Sequence, residues 1–277
     1  MANIVHESTG ADSRNVVVSG TVLALPHSDA IRFDMQIDSG IVASGTDLTT
    51  WTSSVGAKVF TPYNSIATNK VQVDAANTLA GLSTIKIGRL SAASPYYYNM
   101  LYGDGTSYYN TVGNRIVPVV IIAKISDNAN YNHILSCISS DLGGANVHQA
   151  TFYVNPSTKV ATFYFCDAVH PDYQETLAIN LPAELDLTAW HVYHYVVDYV
   201  NKKIMLYIDG VEIYDETVAA LRWAFTSPRD GFGGGGQGLF LAGARCNLAA
   251  FITWQAETFA EADFLATYLF LKYKYGL

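Results

Sequence analysis

The feature that most constrains this sequence is a succession of short β-type runs with no helical pattern between them. From residue 21 to about residue 257, apolar runs are separated by Gly, Asn, Asp, Ser and Pro. Parallel strands need a crossover between them, usually a helix, so this order of elements favours antiparallel pairing. The best predicted strands are 117–125, 134–138, 149–154, 160–166, 191–198, 204–208, 211–214 and 238–242.

One hairpin is specified in detail. Residues 204–208 alternate in the manner of a half-buried strand, and Asp209-Gly210 connects them to a second run at 211–214. An Asp-Gly pair between two such runs suits a type I′ turn, in which both central residues have positive φ. Because residues 190–199 form another strand just before, the sequence predicts a three-stranded meander.

The C-terminal segment changes to helical spacing. Thr258 and Glu261 have the spacing of a capping box, and Gly276 suits the end of a helix. The apolar face comprises Phe264, Leu265, Tyr268, Leu269 and Leu271. We predict a helix of about four turns whose apolar face docks on the sheets. The alternative, a helix on a membrane surface, is disfavoured because such helices are usually basic and this first turn is acidic.

Length and charge narrow the class of protein further. A chain of 277 residues can form one β domain with a sizeable core. Its net charge of −8 argues against nucleic-acid binding, which needs a cationic stripe. The longest apolar run, Val117–Ala123, is far shorter than the roughly 20 residues that span a bilayer. Met1–Glu7 lacks the features of a secretory signal, so we expect synthesis in a cytoplasm.

The chain shows no strong internal boundary. Residues 1–20 are mostly polar and predict an N-terminal arm, and residues 21–277 predict a single sandwich domain. Cys137, Cys166 and Cys246 lie far apart and without CxxC spacing. They are interpreted as free, buried thiols, rather than as a disulfide framework or a thiolate metal site, although one pair could still form a disulfide if two thiols lie close.

The sequence contains no evident catalytic constellation. Asp215 and Glu216 are adjacent, so an extended chain would point them to opposite faces. There is no Gly-x-Ser-x-Gly elbow and no His-x-x-x-His pair. His191 and His194 are interpreted as strand residues rather than metal ligands. We therefore predict that the protein is not an enzyme.

A tyrosine-rich stretch is the main candidate for a ligand-binding surface. Its members are Tyr96, Tyr97, Tyr98, Tyr102, Tyr108 and Tyr109. Tyr combines a flat apolar ring with a hydroxyl, which suits stacking on a sugar or packing in a protein interface. Two alternatives stay open. The rings can instead pack into the core, and Asp104, Asp127 and Asn130 could supply oxygen ligands to a calcium ion at the rim.

Several segments, in their order along the chain, resemble the concanavalin A-like, laminin-G-like family. Trp190–Asp198 followed by Lys203–Ile213 is similar to the family's Trp, aromatic strand and Leu-Tyr-x-Asp-Gly hairpin. Leu48–Gly56 looks like its Trp-Ser-Gly loop, and Leu269–Gly276 like its closing helix. The resemblance covers residues 21–277. It implies an all-β fold of two antiparallel sheets, each of six or seven strands, in a jelly-roll sandwich with a short C-terminal α-helix.

The family includes lectins, glycan-cleaving enzymes and structural parts of larger assemblies, so the fold does not supply the function. The family's enzymes carry a Glu-x-Asp-x-x-Glu strand, which is absent here. Similarity to members found in phage tails and virions implies a non-catalytic virion protein, acting as a tail-fibre, receptor-binding or capsid decoration component. Its expected partners are other virion proteins and copies of itself, with a trimer favoured. Neither nucleic acid nor a membrane is expected as a partner. The alternative is a free-standing lectin for host-surface glycans, with or without calcium.

Overall fold

A computed structural model describes residues 15–18, 21–56, 59–63, 71–87, 100–103, 116–125, 133–139, 148–167, 173–219, 221, 238–242, 246–254 and 258–277. These residues form strands β1 (Asn15–Val18), β2 (Thr21–Ala24), β3 (Ile31–Gln36), β4 (Ile41–Ser44), β5 (Asp47–Thr52), β6 (Val59–Tyr63), β7 (Gln72–Leu79), β8 (Leu82–Ile87), β9 (Met100–Gly103), β10 (Ile116–Ile125), β11 (His133–Ser139), β12 (His148–Asn155), β13 (Val160–Asp167), β14 (Tyr173–Asn180), β15 (His191–Asp198), β16 (Lys203–Ile208), β17 (Val211–Thr217), β18 (Gly238–Ala242) and β19 (Cys246–Trp254), and helix α1 (Glu261–Tyr275).

The strands form two large antiparallel sheets that face each other. The sheet that carries α1, here the helix-side sheet, has the order β17-β16-β15-β10-β19. Strands β3 and β8 pair with opposite halves of β19, and β7 follows β8. The opposite sheet has the order β14-β13-β12-β11-β18-β9-β6-β5-β4. The predicted two-sheet antiparallel sandwich is confirmed, although both sheets have more strands than the six or seven expected.

Aromatic rings fill the space between the two sheets. The centroid of the Phe152 ring lies 5.0 Å from that of Tyr195, and the Phe163 ring lies 5.2 Å from the same tyrosine. Nearer the other side of the sandwich, Phe33 and Phe60 meet edge to face at 5.3 Å. Tilted and edge-on contacts are the arrangements that ring quadrupoles favour, so these rings also fix how the sheets face each other.

Helix α1 covers part of the outer face of the helix-side sheet. Phe264 stacks on Tyr207 of β16 with centroids 4.0 Å apart. At the other end of the helix, the Tyr275 hydroxyl donates a hydrogen bond of 2.9 Å to Oε1 of Gln36 in β3. Because one face meets the opposite sheet and the other is covered, β10, β15 and β19 are buried over almost their whole length.

The predicted helix is confirmed, but its predicted cap is wrong. The helix begins at Glu261, with Ala260 at the N-cap, and Oδ2 of Asp263 accepts a 2.7 Å hydrogen bond from the Ala260 N–H. Thr258 lies before this turn and does not cap it. The displacement has a packing cause, because the buried Phe259 holds the chain against the sheet immediately before the helix begins.

The predicted apolar face of the helix is only partly right. Leu265 is 52% exposed, although it was expected to be buried. The residues that α1 buries are Phe264, Thr267, Phe270, Leu271 and Tyr275. Stacking of Phe264 on Tyr207 sets the rotation of the helix, and the buried residues follow at helical spacing from that ring.

The predicted meander of β15, β16 and β17 is confirmed. Asp209 and Gly210 have φ values of 54° and 76°, as a type I′ turn requires. His191 secures this turn, because Nδ1 lies 2.6 Å from Oδ2 of Asp209 and Nε2 lies 2.7 Å from the carbonyl oxygen of Asp186. Since both nitrogens face acceptors, the charged ring fits best. Burial opposes that charge, but the hydrogen bonds outweigh it and raise the pKa of His191.

The predictions of an N-terminal arm and of free, buried thiols can each be compared with the structure for some of their residues. Residues 15–18 of the predicted arm form β1, which pairs with β2, while residues 1–14 lie outside the described part of the chain. Cys246 is a free, buried thiol, and burial raises its pKa to about 12. Within the described residues, no helix is both long and apolar enough to cross a membrane.

We predict that Gly210→Ala destabilises the protein by about 2–3 kcal/mol. The backbone of residue 210 has a positive φ that alanine adopts poorly, and the added methyl group would press against helix α1. An added Cβ would lie 2.5 Å from Cδ1 of Tyr268. Gly81→Ala is the matched control, because Gly81 has the same φ of +76° but open space around it. That change should cost only about 1 kcal/mol. Urea denaturation measures both, and equal losses would contradict the proposed contact.

Candidate functional site

A row of polar side chains crosses the outer face of the helix-side sheet at the end that carries Lys86 and Asn247. Gln72 of β7 lies opposite Lys86 of β8, Lys86 lies opposite Asn247 of β19, and Asn247 lies opposite Lys124 of β10. Directly opposed residues on neighbouring strands share a face, so all four project to the same side. We call Gln72, Lys86, Asn247 and Lys124 the polar row.

The polar row extends towards an aromatic residue. Ala123 pairs with His191, and continuing this register by one residue places Trp190 opposite Lys124. Trp190 is partly buried against the core and partly exposed. With strands about 4.8 Å apart, five neighbouring positions span about 19 Å. The outer face therefore presents an extended surface of amide, ammonium and indole groups.

Asp74 organises one end of the polar row. Its Oδ2 accepts hydrogen bonds from the side-chain amides of Asn77 at 2.9 Å and Asn247 at 3.0 Å. Its Oδ1 accepts the backbone N–H groups of Ala76 at 2.9 Å and Asn77 at 3.3 Å. Asn247 is buried and also donates to Oγ1 of Thr84 at 2.9 Å. The network thus fixes the orientation of the amide at the centre of the row.

The carboxylate of Asp74 is unsuited to proton transfer. Partial burial alone would raise its pKa, but the hydrogen bonds from Asn247, Asn77 and the backbone hold the pKa below its ordinary value. Both oxygens are already occupied by donors, so the carboxylate serves as a fixed hydrogen-bond acceptor that holds its neighbours in place.

The lysines of the polar row have donors left to offer. Lys86 is exposed and has no side-chain partner among the described residues. The Nζ of Lys124 lies 3.4 Å from Oδ1 of Asn77, which is a long contact for a group with three donors. Asp47 of β5 lies directly opposite Gln72, so the two lysines stand with two carboxylates, Asp47 and Asp74, and the surface has mixed charge.

Most of the residues that the sequence singled out for binding lie outside the described part of the chain. Tyr102 belongs to β9 of the opposite sheet, where it pairs with Phe240 of β18 and Thr61 of β6. The other five candidate tyrosines lie outside the described residues. Asp104, Asp127 and Asn130, the predicted calcium ligands, also lie outside them. In the described part of the chain, no group of three or more His, Cys, Asp or Glu is placed to hold a metal ion.

Sequence reasoning missed the polar row altogether. Its four members come from strands that begin at residues 72, 82, 116 and 246, so only tertiary pairing brings them together. One local signal was present. Asp74 and Asn77 have the spacing of an Asx-type turn, in which the carboxylate binds backbone N–H groups two and three residues on.

Comparisons with known proteins show a fold and no family. No family model matches the chain, and neither does any curated protein. Among solved structures, the binding domain of botulinum neurotoxin DC in complex with rat synaptotagmin II has a TM-score of 0.54 at 11% identity, covering 88% of this chain and 52% of that chain. A structure of botulinum neurotoxin type C, whose cell entry is dependent upon interaction with two ganglioside molecules, has the same TM-score and identity, covering 88% and 51%.

A smaller module is also similar in part. The CBM40 module of Ruminococcus gnavus IT-sialidase has a TM-score of 0.42 at 13% identity, covering 56% of this chain and 83% of that chain. The present chain spans about half the length of the toxin structures that it matches. At these identities the toxin similarities establish the fold of the chain and leave its ligand to be determined.

We predict that Asp74→Ala lowers the free energy of unfolding by about 2 kcal/mol, because it leaves the buried Asn247 amide short of an acceptor. Asp186→Ala is the matched control. Asp186 also binds a backbone N–H two residues on, that of Thr188, but its carboxylate is exposed and accepts no hydrogen bond from a buried side chain among the described residues. Thermal and urea unfolding should show a clearly larger loss for Asp74→Ala, and the reverse order would contradict the role given to Asp74.

Proposed function

We propose that this chain is a non-catalytic recognition module that binds glycans on the polar row. The observation that carries the proposal is a sheet face that places two lysines with free donors beside a partly exposed indole, while the buried Asn247 fixes the position between the lysines. Sugars present many hydroxyl groups around an apolar ring face, so they need fixed hydrogen-bonding groups beside an aromatic surface. The free donors of Lys86 and Lys124 suit glycans that carry acidic groups, since hydrogen bonds to charged acceptors are the stronger ones.

The structural similarities support this proposal through the fold. The toxin structures share the sandwich, and one belongs to a toxin whose cell entry is dependent upon interaction with two ganglioside molecules. The other is a binding domain in complex with a protein, rat synaptotagmin II. A fold that serves recognition of both kinds elsewhere is a suitable scaffold for recognition here.

A finer form of the proposal concerns where the module acts. Sequence resemblance to phage tail and virion proteins supports a role as a tail-fibre, receptor-binding or decoration component, assembled with other virion proteins as a homo-oligomer. In this setting the polar row would contact host-surface glycans. Mass spectrometry of purified particles that carry this gene should then detect the protein, and light scattering should show an oligomer. A strictly monomeric protein that is absent from the particles would instead favour the free-standing lectin.

The primary test is binding to a glycan array, followed by calorimetry with the best ligand. Lys124→Ala and Trp190→Ala should each weaken binding about 10-fold or more, because a charge-assisted hydrogen bond or an aromatic contact contributes about 1.5 kcal/mol or more. Lys86→Ala should act in the same direction. Lys272→Ala, which removes a lysine on α1, is the control and should leave the affinity unchanged.

The tyrosine-rich stretch provides the competing surface in the same experiment. If Tyr97→Ala or Tyr108→Ala abolishes binding while the polar-row variants bind normally, the site assigned here is wrong. Failure to bind any glycan, with or without calcium, would contradict the function itself. The purified protein should release no reducing sugar from the glycans that it binds.

A further inference from the structure

His194 occupies an unusual position between β15 and the C-terminal helix. Its ring is buried, with 2% of the residue exposed, and neither ring nitrogen has a hydrogen-bond partner among the described residues. Buried polar groups are almost always satisfied, so an orphaned imidazole is a costly feature that calls for an explanation. Its directly opposed neighbours are Val120 of β10 and Tyr207 of β16.

Three aromatic side chains surround the ring, and we call Trp254, Phe259 and Phe264 the aromatic cage. Phe264 of α1 is nearest, with ring centroids 4.3 Å apart. Phe259, in the segment before the helix, meets the imidazole edge to face at 5.2 Å, and Trp254 of β19 stacks on it at 6.0 Å. The cage therefore joins the sheet to the start of the helix, and His194 lies at their junction.

The charged groups around this junction lie outside the aromatic cage. On the helix, Glu261 and Asp263 belong to the first turn, and Nε2 of His27 lies 3.1 Å from Oδ2 of Asp263. On the sheet, the Tyr207 hydroxyl donates to Glu212 at 3.0 Å. Nearby, Nζ of Lys203 lies 2.5 Å from Oδ1 of Asp215 in an ion pair. Burial raises the pKa of Tyr207, so it stays neutral.

None of these groups compensates a charge on His194. Burial alone lowers the pKa of the ring, to about 3, from an ordinary value of 6.5. The faces of the cage rings offer an imidazolium some attraction, but in the described part of the chain no acceptor oxygen lies within hydrogen-bonding distance of either nitrogen. A proton on this ring is therefore incompatible with the packed arrangement.

We infer that His194 acts as an acid-sensitive latch, whose protonation releases helix α1 from the outer face of the helix-side sheet. The helix is the element that yields, because β15 is held by backbone hydrogen bonds to β10 on one side and β16 on the other. Near His194 the helix is held by side-chain packing, chiefly by Phe264. Its release hydrates the ring and uncovers Trp254 on the face that carries the polar row.

The pH dependence of helix docking follows from the linkage between docking and proton binding by His194. The folded-state pKa of His194 is below its unfolded value, so its contribution to docking is complete above about pH 6.5 and is lost as the pH falls. The equilibrium constant for helix opening should rise about tenfold per pH unit in this range.

Hydrogen exchange measured by mass spectrometry tests the latch, with rates corrected for the intrinsic effect of pH. Between pH 7.5 and 4.5, amides of residues 261–275 in the wild type should lose protection by tenfold or more while those of β10 stay protected. In His194→Phe this loss should disappear. In His194→Gln, which keeps a polar group but cannot titrate here, docking should be weaker but independent of pH.

His27→Gln is the control for a general effect of histidine, and it should keep the acid dependence. The latch is refuted if His194→Phe and His194→Gln lose helix protection with the same pH dependence as the wild type. It is equally refuted if β10 and α1 of the wild type lose protection together, because that result means global unfolding. The inference is independent of glycan binding, and absence of a glycan ligand would leave it unaffected.

Discussion

Strands β10, β15 and β19 lie at the centre of the helix-side sheet and are buried on both faces, and the rest of the structure depends on this double burial. The inner face is covered by the rings of the opposite sheet, and much of the outer face is covered by α1. The helix covers only part of the outer face, however. Beyond it the same sheet carries Gln72, Lys86 and Lys124, whose side chains reach the surface around the buried Asn247.

Sequence patterns over a few neighbouring residues predicted the elements whose conformation those same residues determine. The Asp209-Gly210 turn was predicted with its positive φ values, because two adjacent residues determine it. Strand β19 was not among the best predicted strands, although it lies at the centre of its sheet. Burial on both faces removes the alternation that marks a strand, and its Asn247 and two alanines interrupt the apolar run. The helix start was misplaced because packing of Phe259 overrides the cap that the sequence suggests.

The candidate site was less predictable than the fold, for a physical reason. A tyrosine-rich stretch is visible in sequence because its members are neighbours, whereas the polar row exists only through the pairing of β7, β8, β19 and β10. The orphaned nitrogens of His194 were invisible for the same reason, since the Phe259 and Phe264 rings that exclude water lie some seventy residues further along the chain. Register and helix docking therefore determine both features.

The central claim is that the open end of the helix-side sheet is where this protein meets a glycan. The most direct test is a titration of the isotopically labelled protein with its tightest glycan, followed by heteronuclear NMR. We predict that the largest shifts fall on the side-chain amides of Asn77 and Asn247, the indole of Trp190, and the backbone around Lys86 and Lys124. Shifts confined to residues 96–109, with the polar row unperturbed, would contradict the assignment.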